Sequence, residues 1–121
     1  QEHNVFYTNR NTLNYDVSRA SWFSDYLDPL GFLEILTTGN ANNQTGWNHP
    51  EYDRLIAEAR RTREAEARLE LLHRAETILL EEMPVIPLYV QSTVRLVDPR
   101  VDGWFDNPMD LHLHKDLGFA P

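Results

Sequence analysis

The sequence predicts an α/β domain in which helices flank a small mixed sheet, and three observations lead to this fold class. β-Favouring Tyr15 and Val17 open a predicted strand over residues 15–25, which Trp22 and Phe23 continue. Apolar residues recur at helical spacing over residues 64–82. Two further β-rich runs follow near the C-terminal end of the sequence. The predicted order of elements is therefore β-α-α-α-β-β.

Composition limits the classes of function. The 121 residues suffice for one domain with a moderate core. A net charge of -8 argues against nucleic acid as a partner, because proteins that bind it carry basic patches. The chain has no cysteine, which excludes disulfides and thiolate chemistry. No window approaches the ~18 consecutive apolar residues that a membrane-spanning helix needs.

The predicted strand leads into a short helix. Residues 1–8 are predicted to form the end of a helix or a short strand, and residues 9–12 have turn composition. Asp28 has the character of an N-cap, and Pro29 that of a helix-opening proline. We expect the helix over residues 29–36 to turn three apolar side chains inward: Phe32, Leu33 and Leu36.

A polar loop precedes the second helix. Asn43 begins a formal glycosylation triplet in this loop, but such triplets are frequent by chance and we expect it to be unused. Asn48 is the predicted N-cap of the next helix, with Glu51 at the capping-box position. Its predicted buried stripe consists of Tyr52, Leu55, Ile56 and Ala59.

The strongest predicted helix spans residues 64–82 and ends at Met83-Pro84. Its inward residues are predicted to be Leu69, Leu71, Leu72, Ala75, Ile78 and Leu79. The charged residues between Arg60 and Arg74, Arg68 among them, are expected to form a solvated face. Strands are predicted at residues 85–90, where Pro87 indicates an edge strand, and at residues 93–97. Three strands are few for three helices, so we expect partner strands from elsewhere and interpret the chain as a fragment.

One stretch carries the chemistry of a binding site. Strand alternation places Arg19, Ser21, Phe23 and Asp25 on one face. A cation and an anion with an aromatic ring between them suit a zwitterion that carries a carboxylate and an ammonium group. Six strand residues span roughly 20 Å and a tripeptide roughly 10 Å, so the chain must bend to meet both ends. The alternative is that Arg19 and Asp25 pair with neighbours and that the aromatic side chains belong to the core.

Other candidates for chemistry are weaker. His112 and His114 have the alternation found in some zinc sites, but no third ligand follows, which favours a solvated tail. Asp25 and Asp28 form a possible acid/base pair of a hydrolase, but capping already explains Asp28. The sequence has no Gly-rich phosphate loop, no nucleophile elbow and no H-E-x-x-H motif. No catalytic residue, metal or cofactor is predicted, and we do not expect an enzyme.

Residues 15–29 resemble the corresponding segment of the oligopeptide-binding proteins of ABC importers. These are the family 5 extracellular solute-binding proteins, which also include dipeptide, murein-peptide and nickel binders. The resemblance continues through residues 48–53, which are similar to the S/N-P-x-F/Y-D helix start of the family. It extends in order through the helix of residues 68–83 and through residues 85–89, 95–97 and 101–104, and covers roughly residues 5–110.

The resemblance implies a fold and a function. It implies a C-terminal fragment of a two-lobed, type II-like periplasmic-binding-protein fold. Residues 1–97 would belong to the second lobe, and residues 98–121 to a hinge-return segment and tail toward the first lobe. Such a protein captures short peptides between two closing lobes and delivers them to a membrane permease, in the periplasm or lipid-anchored at the cell surface. The implied partners are a short peptide, the ABC permease and the N-terminal lobe of the same polypeptide.

The resemblance also assigns roles to residues. Asp25 would hold the peptide's ammonium group and Arg19 its carboxylate, while the backbone around Ser21 and Phe23 would pair with the peptide main chain. Trp22, the tryptophan of the same motif, is included among the ligand-binding residues. Gln91 stands where the oligopeptide binders have a tyrosine, so the resemblance does not assign the residues on the other side of the peptide-binding channel. Two alternatives remain: a non-peptide ligand such as a nickel chelate, sugar or opine, and a stand-alone helical interaction module.

Overall fold

The computed structural model describes residues 2–120 and contains four α-helices and one two-stranded sheet in that range. The helices are α1 (His3–Asn11), α2 (Leu30–Leu33), α3 (Pro50–Ala59) and α4 (Ala65–Glu82). A 3-10 turn, Glu34–Leu36, continues α2, and a second one spans His114–Asp116. The strands are β1 (Val101–Asp102) and β2 (Gly118–Phe119), which pair antiparallel with Val101 opposite Phe119.

The hydrophobic core lies between α2, α3 and α4. The stripe predicted for α3 is confirmed, because Tyr52, Leu55, Ile56 and Ala59 are all buried. The Tyr52 hydroxyl donates a 2.6 Å hydrogen bond to the carbonyl oxygen of Leu33, which ties α3 to α2. Each large apolar side chain buried in this way contributes about 1.5–3 kcal/mol. The remaining buried core residues are Leu30, Leu33, Leu36, Leu71, Leu72, Ala75 and Leu79.

Side-chain caps fix the beginnings of α3 and α4. His49, and not the predicted Asn48, caps α3, because its Nδ1 accepts a 3.2 Å hydrogen bond from the backbone N–H of Tyr52. The Glu64 carboxylate accepts from two backbone N–H groups in the first turn of α4. α4 ends at Met83, whose backbone is left-handed with φ of 49°.

Two residues predicted to lie inward are exposed. Phe32 and Leu69 are 52% and 53% exposed and border an open groove of about 410 Å³ between α2 and α4. Successive helical residues are rotated by about 100°, so Leu69 lies about 200° from the buried Leu71. Leu71 therefore occupies the core side of α4 in place of Leu69.

The predicted strands at residues 15–25, 85–90 and 93–97 form no hydrogen-bonded ladder within residues 2–120. The sheet found in this range is antiparallel and not mixed. A strand requires a neighbouring strand to take up its backbone hydrogen bonds, and no described segment lies in that position. The apolar side chains of residues 86–97 are consequently exposed, including Leu88 at 80% and Leu96 at 101%, whereas Val85 packs against the core. Partner strands from elsewhere stay a prediction.

Candidate ligand-binding site

The even-numbered side chains of residues 22–28 form hydrogen bonds, and three of the four bond to residues in or next to the helices. The Trp22 indole Nε1 donates a 2.8 Å hydrogen bond to the carbonyl oxygen of Gly31 in α2. The Ser24 hydroxyl donates to the carbonyl oxygen of Tyr26 at 2.7 Å. Tyr26 and Asp28 bond to charged side chains outside the segment. We call these four side chains the anchored row: Trp22, Ser24, Tyr26 and Asp28.

Asp28 holds the end of this segment against α2 and α4. Its Oδ1 accepts a 2.8 Å hydrogen bond from the backbone N–H of Leu30 and another of 2.8 Å from Arg68 Nη2. The hydrogen bond from Arg68 is the main reason why the pKa of Asp28 is lowered. Arg68, which was expected on a solvated face, is only 23% exposed in this ion pair. That expectation was wrong for Arg68 because its partner lies 40 residues earlier in the sequence.

Tyr26 and Glu34 form a second link to the helices. The Tyr26 hydroxyl donates a 2.6 Å hydrogen bond to Glu34, which also accepts from Arg60 at the end of α3. The hydrogen bond to the Glu34 carboxylate raises the pKa of Tyr26 to about 12. The same bond, with that from Arg60, lowers the pKa of Glu34. Two polar links thus hold the segment at Tyr26 and at Asp28.

The odd-numbered side chains face away from these contacts. Arg19, Ser21, Phe23 and Asp25, which we call the outward row, are exposed. None of the four has a side-chain hydrogen bond, ion pair or ring contact with any other residue between 2 and 120. Phe23 is 65% exposed and the preceding Trp22 only 38%, which is the predicted alternation. Among residues 2–120, Arg19 and Asp25 thus pair with no neighbour, and neither Trp22 nor Phe23 is one of the buried core residues, contrary to the alternative of paired charges and core aromatic side chains.

Trp22 differs from the other four predicted ligand-binding residues. It belongs to the anchored row, and its indole contacts Gly31. The structure thus leaves Arg19, Ser21, Phe23 and Asp25 on the exposed side of one segment and turns Trp22 toward α2. The backbone N–H and C=O groups of Ser21 and Phe23 make no backbone hydrogen bond within residues 2–120. They are therefore open to pairing with an extended chain.

A polar cavity of about 260 Å³ adjoins the outward row at Arg19. The Arg10 guanidinium lines it and lies 5.5 Å from the centroid of the Phe6 ring. The Ser18 hydroxyl is buried in its wall and has no hydrogen-bond partner within the described range. The sequence did not single out Arg10 or Ser18, because Arg10 lies on α1 and no periodicity links it to residue 19. The cavity is also lined by Asn9, Tyr15, Val17 and Arg19.

Known proteins resemble the chain in both sequence and structure. No protein-family model matches it. It is 40% identical over 108 residues to the dipeptide-binding protein DppE of Bacillus subtilis, a match that covers 89% of this chain and 20% of DppE. The murein tripeptide-binding protein MppA of Escherichia coli superposes with a TM-score of 0.86 at 35% identity, over 100% of this chain and 24% of that chain. Haemophilus influenzae OppA, in complex with RPPGFSPFR, superposes with a TM-score of 0.82 at 31% identity, and the match covers 100% of this chain and 24% of the OppA chain.

The chain belongs to the family 5 solute-binding proteins. It corresponds to the C-terminal part of such a protein and spans about a fifth of the length of the relatives that it matches. The predicted membership is confirmed, and so is the predicted fold class, a part of a periplasmic-binding-protein fold. The relatives are named as binding proteins and not as enzymes.

The tail of this solute-binding protein segment contains a second polar cluster. The His112 ring stacks on Trp104 with 3.7 Å between centroids, and its Nε2 lies 2.9 Å from the Asp110 carboxylate. The expectation of a solvated tail is wrong for His112, whose side chain is 9% exposed. Asp110 also pairs with Arg95, which lowers the pKa of Asp110 to about 2.

Between residues 2 and 120, no three His, Asp or Glu side chains are grouped so that they would hold a metal ion. In the same range, no helix combines the length and the apolar character that crossing a bilayer requires.

Proposed function

We propose that this chain is part of the substrate-binding component of an ABC importer, which captures short peptides between two closing lobes and delivers them to a membrane permease. The observation that carries the proposal is the outward row, in which Arg19 and Asp25 are exposed and have no side-chain partner among residues 2–120. The names of DppE, MppA and OppA as peptide-binding proteins support it, as does the OppA complex with RPPGFSPFR. The protein binds its ligand and does not transform it.

In this proposal the two charges select the ends of the peptide. Asp25 accepts hydrogen bonds from the free ammonium group, and Arg19 donates to the carboxylate of a short peptide. The unpaired backbone groups of Ser21 and Phe23 bond to the peptide main chain as an added strand. The exposed Phe23 ring covers the ligand between its charged ends, and Trp22 supports the segment from behind through Gly31. Closure of the lobes around the ligand removes water and strengthens these charge-assisted bonds.

The proposed partner of this chain is the other part of the same polypeptide, which contains the N-terminal lobe. Residues 1–97 belong to the second lobe, and residues 98–121 return toward the first lobe. Two features support this division: the buried core lies within residues 30–79, and β1 pairs with β2 inside the return segment. The exposed apolar side chains of residues 86–97 are a surface for strands of the N-terminal lobe. Because relatives are named periplasmic, the proposed location is the periplasm or a lipid-anchored position at the cell surface.

Peptide binding by Asp25→Ala in the full-length protein tests this function. The ligands are a pool of tripeptides with free amino termini and the same pool after N-acetylation, and isothermal titration calorimetry gives the affinities. We expect Asp25→Ala to weaken binding of the free peptides by about 2–5 kcal/mol, because a desolvated ammonium group loses its anion. Asp16→Ala, which removes another exposed carboxylate from the predicted strand of residues 15–25, is the matched control and should leave the affinity unchanged.

Two results would contradict the proposal. If Asp25→Ala bound the free peptides as tightly as the wild type, Asp25 would not hold the ammonium group. If the wild type bound N-acetylated peptides equally well, recognition would not depend on a free amino terminus, and a non-peptide ligand would be favoured.

A further inference from the structure

The turn that presents Asp25 lies directly against Gly31 of α2. The Ser24 hydroxyl closes this turn, because it donates to the Tyr26 carbonyl oxygen at 2.7 Å and lies 3.4 Å from the Tyr26 backbone nitrogen. The carbonyl oxygen of Gly31 accepts the Trp22 indole hydrogen bond at 2.8 Å. Trp22 is thus bonded to Gly31, and the two neighbours of Asp25 in the anchored row, Ser24 and Tyr26, also lie beside this helical residue.

Gly31 has no Cβ, and a Cβ at this position would prevent the close approach of Ser24 to α2. A Cβ at Gly31 would lie 2.1 Å from the Ser24 Oγ and 3.2 Å from the Ser24 Cβ. The first separation is too short for any non-bonded pair of heavy atoms, and the second is tight. The helix does not require glycine for its own backbone, because Gly31 is not among the glycines with positive φ. The close approach of Ser24 is thus the reason why glycine fits this position.

A side chain at position 31 has two ways to be accommodated. The Ser24 hydroxyl rotates away, which breaks its bond to Tyr26 and releases the turn, or residues 22–26 move away from α2 as a unit. Both displace the Asp25 carboxylate, because residue 25 lies between the residues that move. A binding group has to be held within about 0.5 Å of its productive position to keep its full effect.

We infer that Gly31 is a positioning residue for ligand binding, and that its contact with Ser24 sets the place of the ammonium-binding carboxylate of Asp25. The inference rests on the proposed function and deepens it. Gly31 touches no ligand in this account and acts through Ser24 alone. Residues 24 and 31 are therefore coupled by size: a larger residue 31 is tolerated only with a smaller residue 24.

A double-mutant cycle in the full-length protein tests the coupling. Gly31→Ala, Ser24→Ala and the double variant are titrated with the free and the N-acetylated tripeptide pools. Gly31→Ala should weaken binding of the free peptides about tenfold, as expected for a strained charge-assisted hydrogen bond, and reduce the preference for them. In the Ser24→Ala background the same substitution should have a much smaller effect, because the 2.1 Å contact with the hydroxyl is gone and only the milder contacts with the Cβ of residue 24 at 3.2 Å and Tyr26 Cζ at 3.4 Å remain. Gly118→Ala, whose Cβ would have no neighbour within 4 Å, is the control.

Three results would overturn the inference: an unchanged affinity of Gly31→Ala, an equal loss in both Ser24 backgrounds, or an equal loss for free and acetylated peptides. The last result would show a general structural effect. Asp25→Asn in the same assay separates this failure from that of the proposed function. If Asp25→Asn weakens binding and Gly31→Ala does not, the positioning role alone is wrong; if Asp25→Asn has no effect, the proposed ligand site is wrong as well.

Discussion

Replacing Asp28 by asparagine distinguishes the contribution of its ion pair with Arg68 from that of its hydrogen bond to the Leu30 N–H. The Asp28 Oδ1 accepts from the Leu30 N–H and from Arg68, both at 2.8 Å. An asparagine oxygen still caps α2 but no longer offers Arg68 a charge. Because the two side chains are 28% and 23% exposed, we expect Asp28→Asn to lower the free energy of unfolding by about 1 kcal/mol. Asp28→Ala removes the cap too and should cost about 1 kcal/mol more.

The effect of Asp28→Asn depends on pH with a defined sign. The ion pair with Arg68 lowers the pKa of Asp28 in the folded protein below its ordinary value of 3.8. A lowered pKa stabilises the fold above the unfolded pKa, and this stabilisation is lost as the pH falls through the folded pKa. The difference between the wild type and Asp28→Asn should therefore be constant from about pH 7 to pH 5 and should shrink below about pH 4.

Urea unfolding of the full-length protein, followed by circular dichroism at pH 7 and at pH 3, measures these differences. Arg68→Met serves as the matched variant, since it removes the same ion pair from the other side and leaves the cap in place. Combining Arg68→Met with Asp28→Asn should cost little more than either substitution alone. Equal stability of wild type and Asp28→Asn at pH 7, or a full penalty that persists at pH 3, would refute the reasoning.

Two further predictions concern a loop and a helix end. The Asn43 side-chain amide donates to three carbonyl oxygens, so Asn43→Ala should lower the free energy of unfolding by about 2 kcal/mol, while Asn42→Ala in the same loop should change it little. Equal effects of the two substitutions in urea unfolding would contradict this. Met83 has a left-handed backbone at the end of α4, so Met83→Gly should stabilise the protein by up to about 1 kcal/mol. Glu82→Gly, one residue earlier inside the helix, should instead destabilise the protein by about 1 kcal/mol. If neither substitution changed the melting temperature, the left-handed backbone at Met83 would not reduce stability.

The amphipathic helices were predictable because their periodicity is a property of the backbone. Tyr52, Leu55, Ile56 and Ala59 recur at the spacing of one helix face, and that face is buried. The shared face of Arg19, Ser21, Phe23 and Asp25 was predictable for the same reason, although the segment has no strand partner among residues 2–120. That this face is exposed, and does not pair with neighbouring residues, was decided by the structure.

Other features arose from contacts between distant parts of the chain. Arg68 and Asp28 are 40 residues apart and meet only because α4 packs against α2. The segments of residues 85–97 have the composition of strands, but a ladder forms only between two strands, and no described segment pairs with them.

The sequence by itself determined the buried face of α3, most of the buried face of α4 and the shared face of Arg19, Ser21, Phe23 and Asp25, because each follows from a repeat along one backbone. Only the tertiary structure decided what holds that row in place. The 2.1 Å separation between a Cβ at position 31 and the Ser24 Oγ depends on how closely a segment approaches a helix. No local pattern encodes such a distance, since it is set by the packing of elements that meet after folding.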